Sequence, residues 1–224
     1  GPVYFDNVSN SAYQLSASPS WTHDVGTNAN RALFVGVSIF AAGSVSSIDV
    51  SGQAMVFVRA DSNGVYRSEV WKLVNPTSGT RTITVTLSAS LTTIGGAASY
   101  WNVDQTNPVD ADAGANGTNT PASGAVTTIT ANDRVFANLA AQTASGISDQ
   151  IGQALRFVNQ GALGTGAGAE KGTIVTPGST TLQWNGLGAL DSWAVSLVAI
   201  NIAGTVAAGW GQLLGSRRNR LIAA

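Results

Sequence analysis

The chain has 224 residues, a formal net charge of −1 and no cysteine. These totals exclude disulfide and thiol chemistry, and they exclude a global field that would draw in nucleic acid or an anionic membrane. Charged residues make up only 10% against 44% hydrophobic; an average globular domain carries about 25% charge, so Ser, Thr, Asn and Gly must cover the outside, a surface common in extracellular and virion proteins.

In chain order, residues 3–15 hold one or two short edge strands, bent at Asn7, Ser9 and Asn10, and 16–30 read as a polar, turn-rich loop anchored by Trp21 and Val25. Residues 31–40 predict a strong strand. Leu33, Val35, Val37 and Ile39 share one face and Phe34 and Phe40 the other, so both faces are expected to be covered. Ser51-Gly52, between apolar runs at 48–50 and 53–59, is a tight-hairpin signature, and Asp61-Ser62-Asn63-Gly64 is a second turn. Residues 69–90 read as one β-hairpin whose apolar face the rest of the chain must cover. Ile83, Val85 and Leu87 alternate with hydroxyl residues, Trp71 and Leu73 supply the partner strand, and Asn75-Pro76-Thr77-Ser78-Gly79 turns between them.

Residues 94–101 form a further strand, whose Gly95-Gly96 weakens its start or marks a bulge. A long loop is expected over 102–123, a strand pair at 126–130 and 134–141 around Ala131-Asn132-Asp133, loop at 143–149 and a strand at 153–159. The Gly/Ala-rich run 160–168 is expected to be mobile or wrapped on a partner. Residues 172–176 and 180–185 predict a hairpin across Pro177-Gly178. The segment 192–202 closes the domain, with Trp193, Val195 and Leu197 opposite Val198, Ile200 and Ile202. About a dozen short strands predict an all-β fold over residues 1–203, an antiparallel β-sandwich with jelly-roll or Greek-key connections.

From Ala203 the composition changes. Residues 204–224 read as a Gly-rich C-terminal arm in which Val206, Trp210, Leu213 and Leu214 precede a basic end of Arg217, Arg218 and Arg220. The apolar run at 193–202 is too short to cross a bilayer as a helix, so no membrane span is expected. The chain opens on Gly1-Pro2, which fits a lost initiator Met, a removed signal peptide or a cloning remnant.

Several stretches, taken in order, resemble a widespread β-sandwich module of bacterial surface proteins and phage structural proteins. They are Trp21-Thr22-His23-Asp24-Val25-Gly26 leading to Arg31-Ala32-Leu33-Phe34-Val35-Gly36-Val37, Val45-Ser46-Ser47-Ile48 with Gly52-Gln53-Ala54, Glu69-Val70-Trp71 with Asn75-Pro76-Thr77-Ser78-Gly79-Thr80, Val103-Asp104-Gln105-Thr106-Asn107-Pro108-Val109, and Ser192-Trp193-Ala194-Val195. Each motif is short, and the likeness lies in their order and spacing. It implies a non-catalytic display or structural module and carries no catalytic residues to transfer. The chain departs from the long surface proteins in holding one module without Ig-like neighbours and in having the arm, and both departures favour a virion component.

No residue set announces chemistry. Asp104, Asp110 and Asp112, with Asn107 and Asn116, could offer Ca²⁺ oxygen ligands, but the later Glu of an EF-hand is missing and turn capping explains them as well. His23 is the single histidine; it suits a structural hydrogen-bonding role better than catalysis or zinc, which needs three or four ligands. Trp71, Trp184 and Trp193 are in phase with apolar neighbours and are expected in the core, while Trp21, Trp101 and Trp210 leave a glycan platform open. Gly161, Gly164 and Gly166 lack the Lys-Ser/Thr of a phosphate-binding loop.

The expectation is a non-catalytic virion structural protein, a capsid decoration or tail component, located on the virion surface or extracellularly. It needs no cofactor and reads no nucleic-acid sequence. Its partners are its own copies and a capsid or tail protein, which Val206, Trp210, Leu213, Leu214, Arg217, Arg218 and Arg220 contact. The rival is a carbohydrate-binding or adhesive module of a bacterial surface protein.

Overall fold

A computed structural model describes residues 1–142 and 146–204, and every regular element among them is a β-strand. The first half of the chain holds β1 (Tyr4–Asn10), β2 (Gln14–Ser16), β3 (Ser20–Val25), β4 (Ala32–Phe40), β5 (Val45–Val50), β6 (Gln53–Ala54), β7 (Val56–Asn63), β8 (Tyr66–Val74), β9 (Gly79–Leu87) and β10 (Leu91–Trp101). The second half holds β11 (Val109–Gly117), β12 (Ala122–Thr128), β13 (Asp133–Ala141), β14 (Ser148–Asp149), β15 (Ala154–Gly161), β16 (Gly164–Ile174), β17 (Gly178–Asn185) and β18 (Trp193–Ile200). These strands pair antiparallel into several sheets.

The two halves repeat one another. In the first, a sheet ordered β1-β10-β4-β8-β7, with β2 also on β10, lies against β3-β9-β5-β6; in the second, β11-β18-β13-β16-β15 lies against β12-β17-β14. Strand for strand, β1, β10, β4, β8 and β7 correspond to β11, β18, β13, β16 and β15. Two of the irregularities repeat as well. Asp6 and Asp110 are the extra residues of bulges in β1 and β11, and Val58 and Arg156 those of bulges in β7 and β15.

Three main cores follow from the patterning. Leu33, Val35, Val37 and Ile39 on one face of β4 pack against Ile48, Val50, Ile83, Val85, Trp71 and Leu73. Val135, Leu139, Val195 and Leu197 pack against Val126, Leu182 and Trp184 in the second half. The third core lies between the halves, where the opposite faces of β4 and β13 bring together Phe34, Tyr100, Phe136, Phe157, Val198 and Ile200. Here β4 crosses β13, β1 meets β15 as β11 meets β7, and β10 meets β16 as β18 meets β8. Exchanging the halves maps each contact onto another, the signature of a two-fold, isologous interface inside one chain.

Close approach at this interface depends on glycine. A Cβ at Gly36 would lie 2.4 Å from Asn138 Oδ1, and one at Gly96 or Gly168 would lie 2.1 Å from the ring of Phe157. The Gly/Ala-rich run expected to be mobile or wrapped on a partner is therefore mostly β16, buried from 164 to 170, and what it packs against is the first half of its own chain.

Other expectations meet the structure in different ways. Both faces of β4 are covered, and Ser51-Gly52 and Asn63-Gly64 do turn the chain between paired strands β5–β6 and β7–β8. The supposed hairpin at 69–90 is a crossover: β8 pairs β4 and β7, whereas β9 pairs β3 and β5 in the facing sheet. The same correction applies to β16 and β17 across Pro177-Gly178, and to β12 and β13. Strand β3 runs through the supposed loop at 16–30, and β11 and the start of β12 occupy the supposed loop at 102–123.

The two-glycine bed of Phe157 is directly testable. Gly168→Val is expected to destabilise the protein by about 1–3 kcal/mol through overpacking, read as a lower denaturant midpoint; an unchanged midpoint would contradict the packing.

Candidate functional site

Side chains that catalyse elsewhere (His, Ser and Asp) do meet at one place, where β1, β3 and β10 come together. His23 lies within β3 and is 1% exposed. Its Nδ1 is 2.8 Å from Ser9 Oγ and its Nε2 is 3.0 Å from Ser99 Oγ, and Ser99 is itself fully buried. Ser99 donates to Asp6 Oδ2 at 2.7 Å, and the same oxygen accepts the Gly26 N–H at 2.8 Å. Trp21 Nε1–H donates to Ser9 Oγ at 3.1 Å.

Following the protons fixes the tautomer. Ser99 gives its proton to Asp6, so it must accept from His23, which places the ring proton on Nε2. Ser9 accepts from Trp21 and gives its own proton to Nδ1. The chain of donors runs Trp21, Ser9, His23, Ser99, Asp6, and every link is satisfied. Burial holds His23 down at about 4, against the pull of Asp6 and Asp24, so the ring is neutral. In a serine nucleophile site the carboxylate orients the imidazole, which takes the serine's proton. Here the serine stands between imidazole and carboxylate, gives its proton to the latter, and is shut away from solvent. The set is a structural polar core.

A second pair lies at the corresponding bulge of the other half. Asp110 accepts from Ile129 N (2.5 Å), Thr130 N (3.1 Å) and Thr130 Oγ1 (3.0 Å). Burial opposes its ionisation, but Ile129, Asp133 and Thr130 outweigh that and hold it below the usual carboxylate range. Asp133 is fully buried, and the backbone N–H of Ile202 gives its ionised form only minor support. Burial, then the contact with Asp110, push it up to about 8, so at neutral pH Asp133 is largely the acid and donates to Asp110.

The carboxylates considered for Ca²⁺ are engaged separately. Asp104 accepts from Thr106 N and Asn107 N, both at 2.8 Å, Asp110 caps the end of β12, and Asp112 pairs with Arg59 at 2.5 Å. No group of three or more potential metal ligands is found among the described residues. Trp71, Trp184 and Trp193 are 8%, 0% and 3% exposed and belong to the cores, as the apolar phase predicts. Trp21 packs half-buried against the first core, and Trp101 stacks on Tyr4 with ring centroids 4.1 Å apart. Trp210 and the other arm residues, Val206, Leu213, Leu214, Arg217, Arg218 and Arg220, lie outside the described residues. No helix of the described residues is long and apolar enough to cross a membrane. Compared with protein-family models, curated proteins and solved structures, the chain finds no match.

Two titrations follow. His23, lowered in the folded state, contributes stability that is complete above its ordinary value near 6.5 and is lost as pH falls toward 4. Asp133, raised in the folded state, contributes stability that is complete below its ordinary value near 3.8 and is lost as pH rises toward 8. The two slopes oppose each other between about pH 4 and 6.5, and only Asp133 acts from there to about 8. Asp133→Asn is expected to remove the decline above pH 6.5 and uncover a rise below it, measured by denaturant unfolding across pH. In the native chain the His23 ring resonances should titrate near pH 4; a midpoint near 6.5 would refute the buried, neutral imidazole.

Proposed function

We propose that this is a non-catalytic structural protein of a virion surface or appendage, which assembles with its own copies or with a capsid or tail lattice. The observation that carries the reading is the closed hydrogen-bond chain through His23. The chain's single histidine has both ring nitrogens committed to serines, the partly buried Ser9 and the fully buried Ser99, and the carboxylate of Asp6 is spent on Ser99 and Gly26. What remains is a scaffold.

The strand order supports the same reading. Counting β1, β3, β4, β5, the run β6–β7, β8, β9 and β10 as successive strands, the first, eighth, third and sixth share one sheet, and the second, seventh and fourth share the other. We read this as a β-sandwich of jelly-roll type, and the second half as another. Jelly rolls recur in viral capsid and lectin domains. The resemblance of the Trp21–Gly26, Asn75–Thr80 and Ser192–Val195 stretches to modules of phage structural proteins points the same way.

The chain's geometry supports assembly from one end. Asn102 donates to the carbonyls of Gly1 and Pro2, Val103 bridges to Ile202, and Ala203 N donates to Asn102 O at 2.9 Å. Gly1 and the last described residues thus share an end with the connection between the halves. Residues 205–224, with Trp210, Leu213, Leu214 and three arginines, continue from there and are the proposed docking arm. The rival reading, a carbohydrate-binding module, has the half-buried Tyr4–Trp101 stack in its favour.

Native mass of the intact chain beside a chain ending at Gly204, both at micromolar concentration, tests the proposal. A defined oligomer that becomes a monomer on truncation is the expected result. If both are monomers, self-assembly through the arm is wrong, and a glycan array then decides whether the rival stands.

A further inference from the structure

The second half carries a recess of about 260 Å³ where the beginning of β13, the bulge of β15 and the middle of β16 converge. Arg134, Arg156, Lys171 and Glu170 line it, with Gly152 and Gly172 at its walls. We propose that this recess binds the oxyanion group of a small molecule, a phosphate or a carboxylate.

Charge is the first argument. Glu170, 2% exposed, takes both arginines on one oxygen: Arg134 Nη1 at 2.5 Å and Arg156 Nη2. Lys171 has no ion-pair partner among the described residues. Both arginines turn to Glu170, and Lys171 lines the same recess from the next position of β16, so the lining carries three cations against one carboxylate. One arginine already compensates the buried Glu170, so the remaining positive charge at this partly open recess is free to meet an anion from solvent.

Rigidity is the second. The Arg156 guanidinium lies over the Phe5 ring with its carbon 3.6 Å from the ring centroid. Arg134 Nε donates to Val3 O at 3.3 Å. A Cβ on Gly172 would lie 2.9 Å from Arg134 Cγ, Cζ and Nε, so this glycine lets the guanidinium lie against the β16 backbone. Planar guanidinia already held in place lose little freedom when they take up an oxyanion.

The internal repeat supplies the third. At the positions that correspond to Arg134, Arg156, Glu170 and Lys171, the first half carries Ala32, Val58, Lys72 and Leu73. The same strand order is built there without the cluster, so the fold does not require it. The volume lies just below the roughly 300–1,000 Å³ of sites for drug-sized ligands, which suits one anionic group on a small body.

The test is an amide NMR titration of the intact chain with sodium phosphate and, separately, sodium glucuronate, with sodium chloride at matched ionic strength as the control. Saturable shifts at Gly152, Ala154 and Gly172 are expected with at least one of the two anions and not with chloride. Lys171→Glu should weaken that binding about tenfold or more, and Lys171→Ala should weaken it less, with the melting temperature of both variants near that of the native chain. Binding of phosphate alone identifies a phosphoryl ligand, and binding of glucuronate alone an acidic sugar. Silence with both anions, shifts that chloride reproduces, or an unchanged affinity in Lys171→Glu would overturn the proposal.

Discussion

The architecture depends on the back-to-back contact of β4 and β13. Each of these strands is a core strand twice over, giving one face to its own half and the other to the opposite half. Phe34 and Phe136 meet at the middle, with ring centroids 6.5 Å apart. Around them the contact is partly polar and directional. Ser38 Oγ donates to Leu139 O at 2.8 Å, Ser68 Oγ to Asn138 O at 2.9 Å, and Asn138 Nδ2 to both hydroxyls. Apolar burial brings the sheets together without specifying how they slide; hydroxyls bonded to the facing backbone permit one register. The outer sheets then have only to cover the remaining faces of the inner pair.

Much of this was legible in the residues. The doubly apolar run 32–40 announced a strand buried on both faces, and the split phase of Trp193, Val195 and Leu197 against Val198 and Ile200 announced another. Legibility failed at connections. A turn such as Asn75-Pro76 reverses the chain's direction, but period two and turn chemistry are the same whether the next strand returns beside its predecessor or on the facing sheet. The repeat was hidden for a related reason. What recurs is order and bulge position, while the side chains diverge: Gly36 corresponds to Asn138 and Gly168 to Val70. One clue was the glycine-rich run at 164–168, where missing side chains mark a surface that another backbone approaches closely.

The polar sites were less legible than the core. His23, Ser99 and Asp6 are distant in sequence and gain meaning from which atom donates to which, something composition does not contain. Asp133 looked like a turn residue beside Asn132; only full burial against Asp110 makes it an acid rather than a carboxylate. Both bulges use an aspartate in one way, turned toward the backbone amides that follow β3 and β12: Asp6 to Gly26 and Asp110 to Ile129. The halves share that device and differ in what surrounds it.

Joining the halves in one polypeptide changes the meaning of their two-fold contact. Two separate subunits meeting through such a face would come apart on dilution, and each would carry identical surroundings. Here the short run from Trp101 to Val109 holds the partners at a fixed, high effective concentration, so their association no longer depends on how much protein is present. The tether also frees the halves from identity. A substitution appears once rather than twice, and one half can gather two arginines around a buried glutamate while the other carries a different set of side chains at the matching positions.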